Sequence, residues 1–170
     1  MLGIIILIGP MGAGKTTIGK ILASSSSRSF KDTDQIIEER TGADIPWIFD
    51  VEGEEGFRDR EQSLLHELLS GEFGETVLAT GGGVVERLAN RELLKATGNV
   101  VYLNANLDQL IARTSKDKKR PLLNVENPTQ RVKDLFHRRD PLYREVADII
   151  IDTERRSPKT VADEILSSLN

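Results

Sequence analysis

Cysteine is absent from the 170 residues. Without a thiol there is no disulfide framework, no thiolate nucleophile and no Cys-ligated zinc site, and the redox compartment stays open. No long hydrophobic run is present either. The N-terminal stretch "MLGIIILIGP" is too short for a membrane span or a signal peptide and has no basic residues ahead of it. No membrane partner is therefore expected, and a cytoplasmic location is. Positive charge is not in excess: 23 Lys and Arg stand against 27 Asp and Glu, for a net charge of −4. That balance argues against a nucleic-acid binder, although local Arg clusters can still hold a small anion. Internal repeats and linkers are missing as well. With 38% hydrophobic and 29% charged residues, the chain reads as one globular domain over residues 1–170 with a substantial core.

What is present is a regular alternation of short apolar runs and amphipathic stretches. Strands are predicted over 3–8, 29–32, 75–80, 99–105 and 147–153. Helices are predicted over 15–24, 34–41, 45–51, 54–69, 87–96, 107–114, 129–145 and 158–169, with a break near Gly53 and an interruption at Pro141. The segment "SKDKKRPLLNVENP" has charges, two prolines and no periodicity, and reads as a loop. Strands and helices taking turns along a chain build a parallel sheet covered by helices on both faces.

The most specific local signal is Gly9-Pro10-Met11-Gly12-Ala13-Gly14-Lys15-Thr16, which fits G-x-x-x-x-G-K-[ST] between a predicted strand and a predicted helix. Its glycines let successive N–H groups face one anion, and the helix behind adds its positive end. Lys15 would reach the β- and γ-phosphates of a nucleoside triphosphate, and Thr16 would hold Mg2+. The motif names no reaction.

Later residues bear on the acceptor. In Asp32-Thr33-Asp34 the two carboxylates point the same way if the segment is extended, and could orient metal-bound water and take a proton. Equally, an Asp at either position caps the helix "QIIEER". Arg58 lies among Glu52, Glu54, Glu55, Asp59 and Glu61; it is either a surface ion pair or a guanidinium fork for a carboxylate. Gly81-Gly82-Gly83, closing the third strand, is either a turn or a bare backbone that a small molecule can approach. Lys116, Lys118, Lys119 and Arg120 form a solvated basic loop or a lid over phosphates. Arg138 and Arg139 are a further anion contact. His66 and His137 read as exposed or structural, and Trp47, Phe49 and Phe57 as core.

Taken in order, "GPMGAGKTTIGK", "DTDQIIEERTG", "IFDVEGEEGFRDRE", "LATGGGVV", "KDKKRPLL" and "RRDPLYREVAD" resemble the shikimate kinases of aromatic amino-acid biosynthesis, over essentially the whole chain. The resemblance implies an α/β, three-layer P-loop fold like that of the nucleoside monophosphate kinases. Its five-stranded parallel sheet is flanked by helices, with a substrate-binding segment at about 33–61 and a lid at about 114–126. It implies transfer of the γ-phosphoryl of ATP to the 3-hydroxyl of shikimate with Mg2+, by a monomer. By position, Gly12, Ala13, Gly14, Lys15, Thr16 and Thr17 would bind the ATP phosphates, with Thr16 and Asp32 toward the metal. Arg113, Arg156 and Pro158 would lie near the adenine, and Arg120 would descend from the lid. Asp34 would hold the shikimate hydroxyls and act as base or orienter. Arg58 and Arg139 would grip the carboxylate, with Gly81, Gly82 and Gly83, Phe49 and Phe57 around the substrate. Asp34, Lys15 and Arg120 would carry the chemistry. The alternatives are a related small-molecule kinase, such as one acting on gluconate, and a non-catalytic ATP-binding regulatory protein. One segment departs from the family pattern: "SSSSRSF" replaces apolar residues, and loose packing or disorder is expected over 24–29.

Overall fold

In a computed structural model, which describes residues 3–71, 74–116 and 120–169, the elements follow the predicted alternation. They are β1 (Ile5–Ile8), α1 (Lys15–Ser25), β2 (Ser29–Asp32), α2 (Thr33–Thr41), α3 (Ile45–Ser70), β3 (Thr76–Ala79), α4 (Leu88–Thr97), β4 (Val100–Asn104), α5 (Leu107–Thr114), α6 (Pro128–Val146), β5 (Ile149–Asp152) and α7 (Pro158–Leu169). A single 3-10 turn, Pro121–Leu123, interrupts the loop before α6. All strand pairs are parallel, in the order β2-β3-β1-β4-β5.

Side-chain alternation along the strands divides the core in two. Ile5 and Leu7 of β1, Val77 of β3 and Val101 and Leu103 of β4 face the helices α1, α5 and α7. Ile6 and Ile8, Leu78, and Val100 and Tyr102 face α3 and α4. Both faces are buried: β1 and β3 are covered at every position, and only Thr76 among their residues is polar. The chain leaves β1 for α1 on one face and leaves β3 for α4 on the other. A crevice opens between the C-terminal ends of those adjacent strands, where open α/β sheets bind ligands.

Two expectations fail here. The serine segment is tied down by hydrogen bonds, though Ser24, Ser25, Ser27 and Ser29 stay exposed. Helix α1 runs through Ser25, Ser26 Oγ donates to the Leu22 carbonyl at 2.6 Å, and Arg28 N–H donates to the Ala23 carbonyl at 2.8 Å. The Arg28 guanidinium, with 6% of its side chain exposed, donates to the Gly3 carbonyl, and Ser29 pairs with Thr76 through their hydroxyls at 2.8 Å. Hydrogen bonds to the chain's own backbone order a stretch that has little apolar surface to bury. Helix α6 also passes through Pro141 without a break. The carbonyl this proline leaves without a donor is that of His137, an exposed residue whose backbone water can satisfy.

Candidate active site

The loop after β1 curls around its own lysine. Gly14 stands at φ 93°, a conformation that favours glycine, and is the N-cap of α1. Lys15 Nζ donates to the carbonyls of Gly9 (2.6 Å) and Pro10 (2.9 Å). Asp32 is a helix cap and also reaches the first turn of α1. Its Oδ1 caps α2 by accepting from the N–H groups of Asp34 (3.0 Å) and Gln35 (3.2 Å), while its Oδ2 accepts from Thr16 Oγ1 at 2.9 Å. A cavity of about 570 Å³ spreads from here, lined by Gly12 through Thr17, Asp32, Asp34, Arg113, Arg120, Thr153, Arg156 and Pro158. Arg113 is tied back to the loop by a 2.7 Å bond to the Gly12 carbonyl.

The donor set suits Mg2+ in one respect. That ion keeps most of its waters and needs only one or two protein oxygens, and the Thr16 hydroxyl and Asp32 carboxylate are neighbours. Among the described residues no group of three or more His, Cys, Asp or Glu could make an all-protein cage.

A second cavity, of about 340 Å³, is lined by Asp34, Phe49, Phe57, Arg58, Glu61, Gly81, Gly82, Gly83, Arg120, Leu122 and Arg139, among others. The two cavities share Asp34, Glu38, Gly81, Gly82 and Arg120. Gly81 and Gly83 make room for side chains of the site, while Gly82 lies against the Met11 backbone and near Arg139. A Cβ on Gly81 would lie 2.9 Å from Asp34 Oδ1 and 3.0 Å from Glu61 Oε2. One on Gly82 would lie 3.4 Å from Arg139 Nη1, and one on Gly83 would lie 2.5 Å from Arg58 Cζ. The turn is held from behind: Gly81 N–H donates to buried Thr33 Oγ1 (3.2 Å), and Tyr143 OH donates to the Gly82 carbonyl (2.6 Å).

Both arginines are buried, Arg58 at 6% exposure and Arg139 at 2%. Arg58 Nη1 donates to Glu61 Oε1 at 3.0 Å, and Glu54 stands on its other side at 3.4 Å. Arg139 Nε donates to Glu86 Oε1 at 2.6 Å. Buried atoms with no hydrogen-bond partner include Asp34 Oδ1, Arg58 Nε, Glu61 Oε2 and Arg139 Nη2. Buried polar atoms are costly to leave unpaired, so this concentration marks a surface built to meet a polar molecule.

The charges are strained in the same sense. Burial lowers the Lys15 pKa to about 7, and Arg120 adds to the shift against the pull of Asp34 and Asp32. Burial likewise raises Asp34, with the Asp32 charge adding to it. Glu61 rises to about 7 because burial outweighs the attraction of Arg58. The Arg58 pKa is raised despite its burial, through Glu61 and Glu54.

Every residue expected around ATP and shikimate therefore lines one of the two cavities. Other expectations need correction. Arg58 is no surface ion pair, and Glu61, one of the acidic residues around it, is fully buried. Trp47 is 60% exposed rather than core, while Phe57 is both core and cavity wall, 5.0 Å from Phe49 between ring centres. Arg138 and Arg139 part company: half of the Arg138 side chain faces solvent. Lys116 lines neither cavity, and the expected lid residues Lys118 and Lys119 lie outside the described residues. His66 and His137 are exposed, as expected. Sequence reading missed Thr33, Glu61, Glu86 and Tyr143. Only Glu61 had a local signal, its i+3 spacing from Arg58 on a helix.

Comparisons with known proteins agree with this geometry. The family profile described as "Shikimate kinase" matches residues 11–170. Shikimate kinase of Pseudomonas paraeruginosa (strain DSM 24068 / PA7) is 55% identical over 165 residues, 97% of this chain and 95% of that protein. That of Chromohalobacter salexigens is 56% identical over 162 residues, 95% of this chain and 89% of the relative. The solved structure of shikimate kinase from Acinetobacter baumannii in complex with shikimate superposes with a TM-score of 0.94 at 51% identity, covering 99% of this chain and 93% of that one. A gluconokinase from Sinorhizobium meliloti shares the fold alone, with a TM-score of 0.59 at 15% identity. The chain belongs to the shikimate kinase family.

Proposed function

We propose that the chain transfers the γ-phosphoryl group of ATP to the 3-hydroxyl of shikimate, giving shikimate 3-phosphate and ADP. One observation carries this reading: the nucleotide-sized cavity and the smaller acceptor cavity meet at Asp34, Glu38, Gly81, Gly82 and Arg120. An acceptor hydroxyl beside Asp34 then faces the end of a triphosphate held at Lys15. Phosphoryl transfer asks the protein mainly for alignment and for charge at the transferring group.

Lys15 leaves the Gly9 and Pro10 carbonyls for the β- and γ-phosphates, whose charge restores its proton. Arg120 neutralises the transferring group from the opposite side. Asp34 orients the hydroxyl or takes its proton, an assignment favoured by its free, buried Oδ1. Arg58 and Arg139 bind the carboxylate of shikimate, and Phe49 and Phe57 wall the ring. Arg113, Arg156 and Pro158 flank the base. Thr16 and Asp32 would hold Mg2+, which would supply positive charge against that of the phosphates. One chain lines both cavities, which fits a monomer.

The test is release of ADP in a coupled assay with shikimate, gluconate or nucleoside monophosphates as acceptors. Shikimate should be the acceptor that drives turnover. A response to gluconate instead would reassign the acceptor, and no response to any acceptor would leave a nucleotide-binding protein without turnover. Lys15→Ala should lower kcat/KM at least about 100-fold with the fold intact by circular dichroism; near-normal activity would remove the cradle from the reaction.

A further inference from the structure

The two arginines assigned above to the substrate carboxylate sit in different electrostatic company. Arg58 pairs with two carboxylates, Glu54 and Glu61. With both carboxylates ionised that group has no net positive charge, so Arg58 can offer a carboxylate hydrogen bonds but little net attraction. On the other wall one carboxylate, Glu86, serves two arginines. Its Oε1 accepts from Arg139 Nε (2.6 Å) and from Arg138 Nη2 (2.7 Å) and Nε (3.2 Å). That group keeps one net positive charge. Arg138 lies toward solvent, so the buried part of the excess is the Arg139 guanidinium.

The orientation of that guanidinium is specific. Glu86 takes the Nε edge. Nη2 is buried with no partner, and Nη1 lies over Gly82, 3.4 Å from where a Cβ would be. The paired end of the fork is thus turned toward the glycine turn and the acceptor cavity. Glu86 is itself fixed, because it closes the same turn: its N–H donates to the Gly83 carbonyl at 3.1 Å, and its carbonyl accepts from Arg91 of α4 at 3.1 Å. A single residue therefore couples the position of Gly82 and Gly83 to the aim of Arg139 from α6.

We propose that Glu86 is a positioning residue for substrate binding: it holds Arg139 by the Nε edge so that the Nη pair faces the acceptor carboxylate, while Arg138 shares the Glu86 charge and leaves Arg139 its attraction. The proposal rests on the reading of Arg139 as a carboxylate ligand.

Steady-state kinetics on the full chain with ATP and shikimate decide it. Glu86→Gln keeps the shape and removes the charge. It should raise the KM for shikimate about ten-fold, the scale of one lost charged hydrogen bond, and leave kcat and the KM for ATP within about two-fold. Glu86→Asp, which keeps the charge on a shorter arm, should fall between wild type and Glu86→Gln, and it serves as the test variant should Glu86→Gln not fold. Arg138→Gln, which leaves the whole Glu86 charge to Arg139, should raise the shikimate KM by about two- to three-fold, less than Glu86→Gln does, because half-exposed Arg138 is screened by solvent. In an Arg139→Gln background, Glu86→Gln should add nothing further. If Arg139→Gln raises the shikimate KM and Glu86→Gln does not, the positioning role falls and the carboxylate assignment stands. If Arg139→Gln itself leaves that KM unchanged, both fall. Equal loss for ATP and shikimate, or an effect of Glu86→Gln that persists without Arg139, would make Glu86 merely structural and overturn the proposal.

Discussion

A methyl group on Gly83 would land 2.5 Å from the carbon at the centre of the Arg58 guanidinium, inside any tolerable contact. The reason for a glycine there is thus a flat cation lying against the backbone. The turn sits between fixed elements, Thr33 and Tyr143 binding it from behind, so the arginine must yield rather than the chain. Gly83→Ala should raise the KM for shikimate at least about ten-fold by displacing Arg58 from its carboxylate geometry. The KM for ATP should stay near wild type, because the nucleotide cavity is not lined by Gly83. A rise in both constants, or in neither, would detach Gly83 from Arg58. Sequence reading treated the three glycines as space for a ligand. The structure gives Gly81 and Gly83 side chains to accommodate first, and local spacing carries no trace of which side chains those are.

At the scale of elements, helix α3 depends on a single residue. Gly53 has φ 73° and ψ 176°, a conformation outside the helical region that L-residues avoid. The bend separates the short arm with Phe49 from the long arm with Phe57, Arg58 and Glu61. It lets both arms face one cavity, and Phe49 meets Phe57 across it. A straight helix would carry the short arm away from the cavity. Open space surrounds the position of a Cβ on Gly53, so the cost of a side chain there is one of backbone strain alone. Gly53→Ala should destabilise the protein by about 1–3 kcal/mol in denaturant unfolding and raise the KM for shikimate as the arms shift. Unchanged stability would show that the bend is not glycine-dependent. The break was legible in the sequence, because a glycine between two apolar-periodic stretches is a strong stop. The continuity of α6 through Pro141 was not, since it depends on the solvent at one carbonyl.

Across the whole molecule, period and punctuation made every strand and helix readable, and the family motifs placed the cavity-lining residues. The strand order and the burial of Arg58 with Glu61 were not readable. They arise where distant segments meet, and an acidic run such as "EGEEGFRDRE" looks solvated until one of its faces is covered. That covering has a consequence for stability. Glu61 keeps its ordinary acidity in the unfolded chain, near 4.5, and is raised to about 7 by burial in the fold. Between those values the native state holds the proton more tightly, so Glu61 favours folding most at low pH, and that contribution is lost as pH rises toward 7. The full swing is about 3 kcal/mol. Lys15 acts in the opposite direction over the adjoining window. Its pKa falls from 10.5 to about 7, so the folded state binds fewer protons there and stability recovers as pH rises above 7. The ligand-free protein should accordingly be least favoured by these two groups near neutrality, where phosphates and a substrate carboxylate would complement them. Denaturant midpoints at pH 5, 7 and 8.5 for wild type and Glu61→Gln isolate the first arm, because every other group titrates in both proteins. Loss of the Arg58 partner lowers the variant by an amount that does not depend on pH. The stability of wild type relative to Glu61→Gln should therefore fall by on the order of 1–3 kcal/mol between pH 5 and 7 and stay level above; a constant difference across that range would mean that Glu61 is ionised throughout, as in an ordinary surface pair.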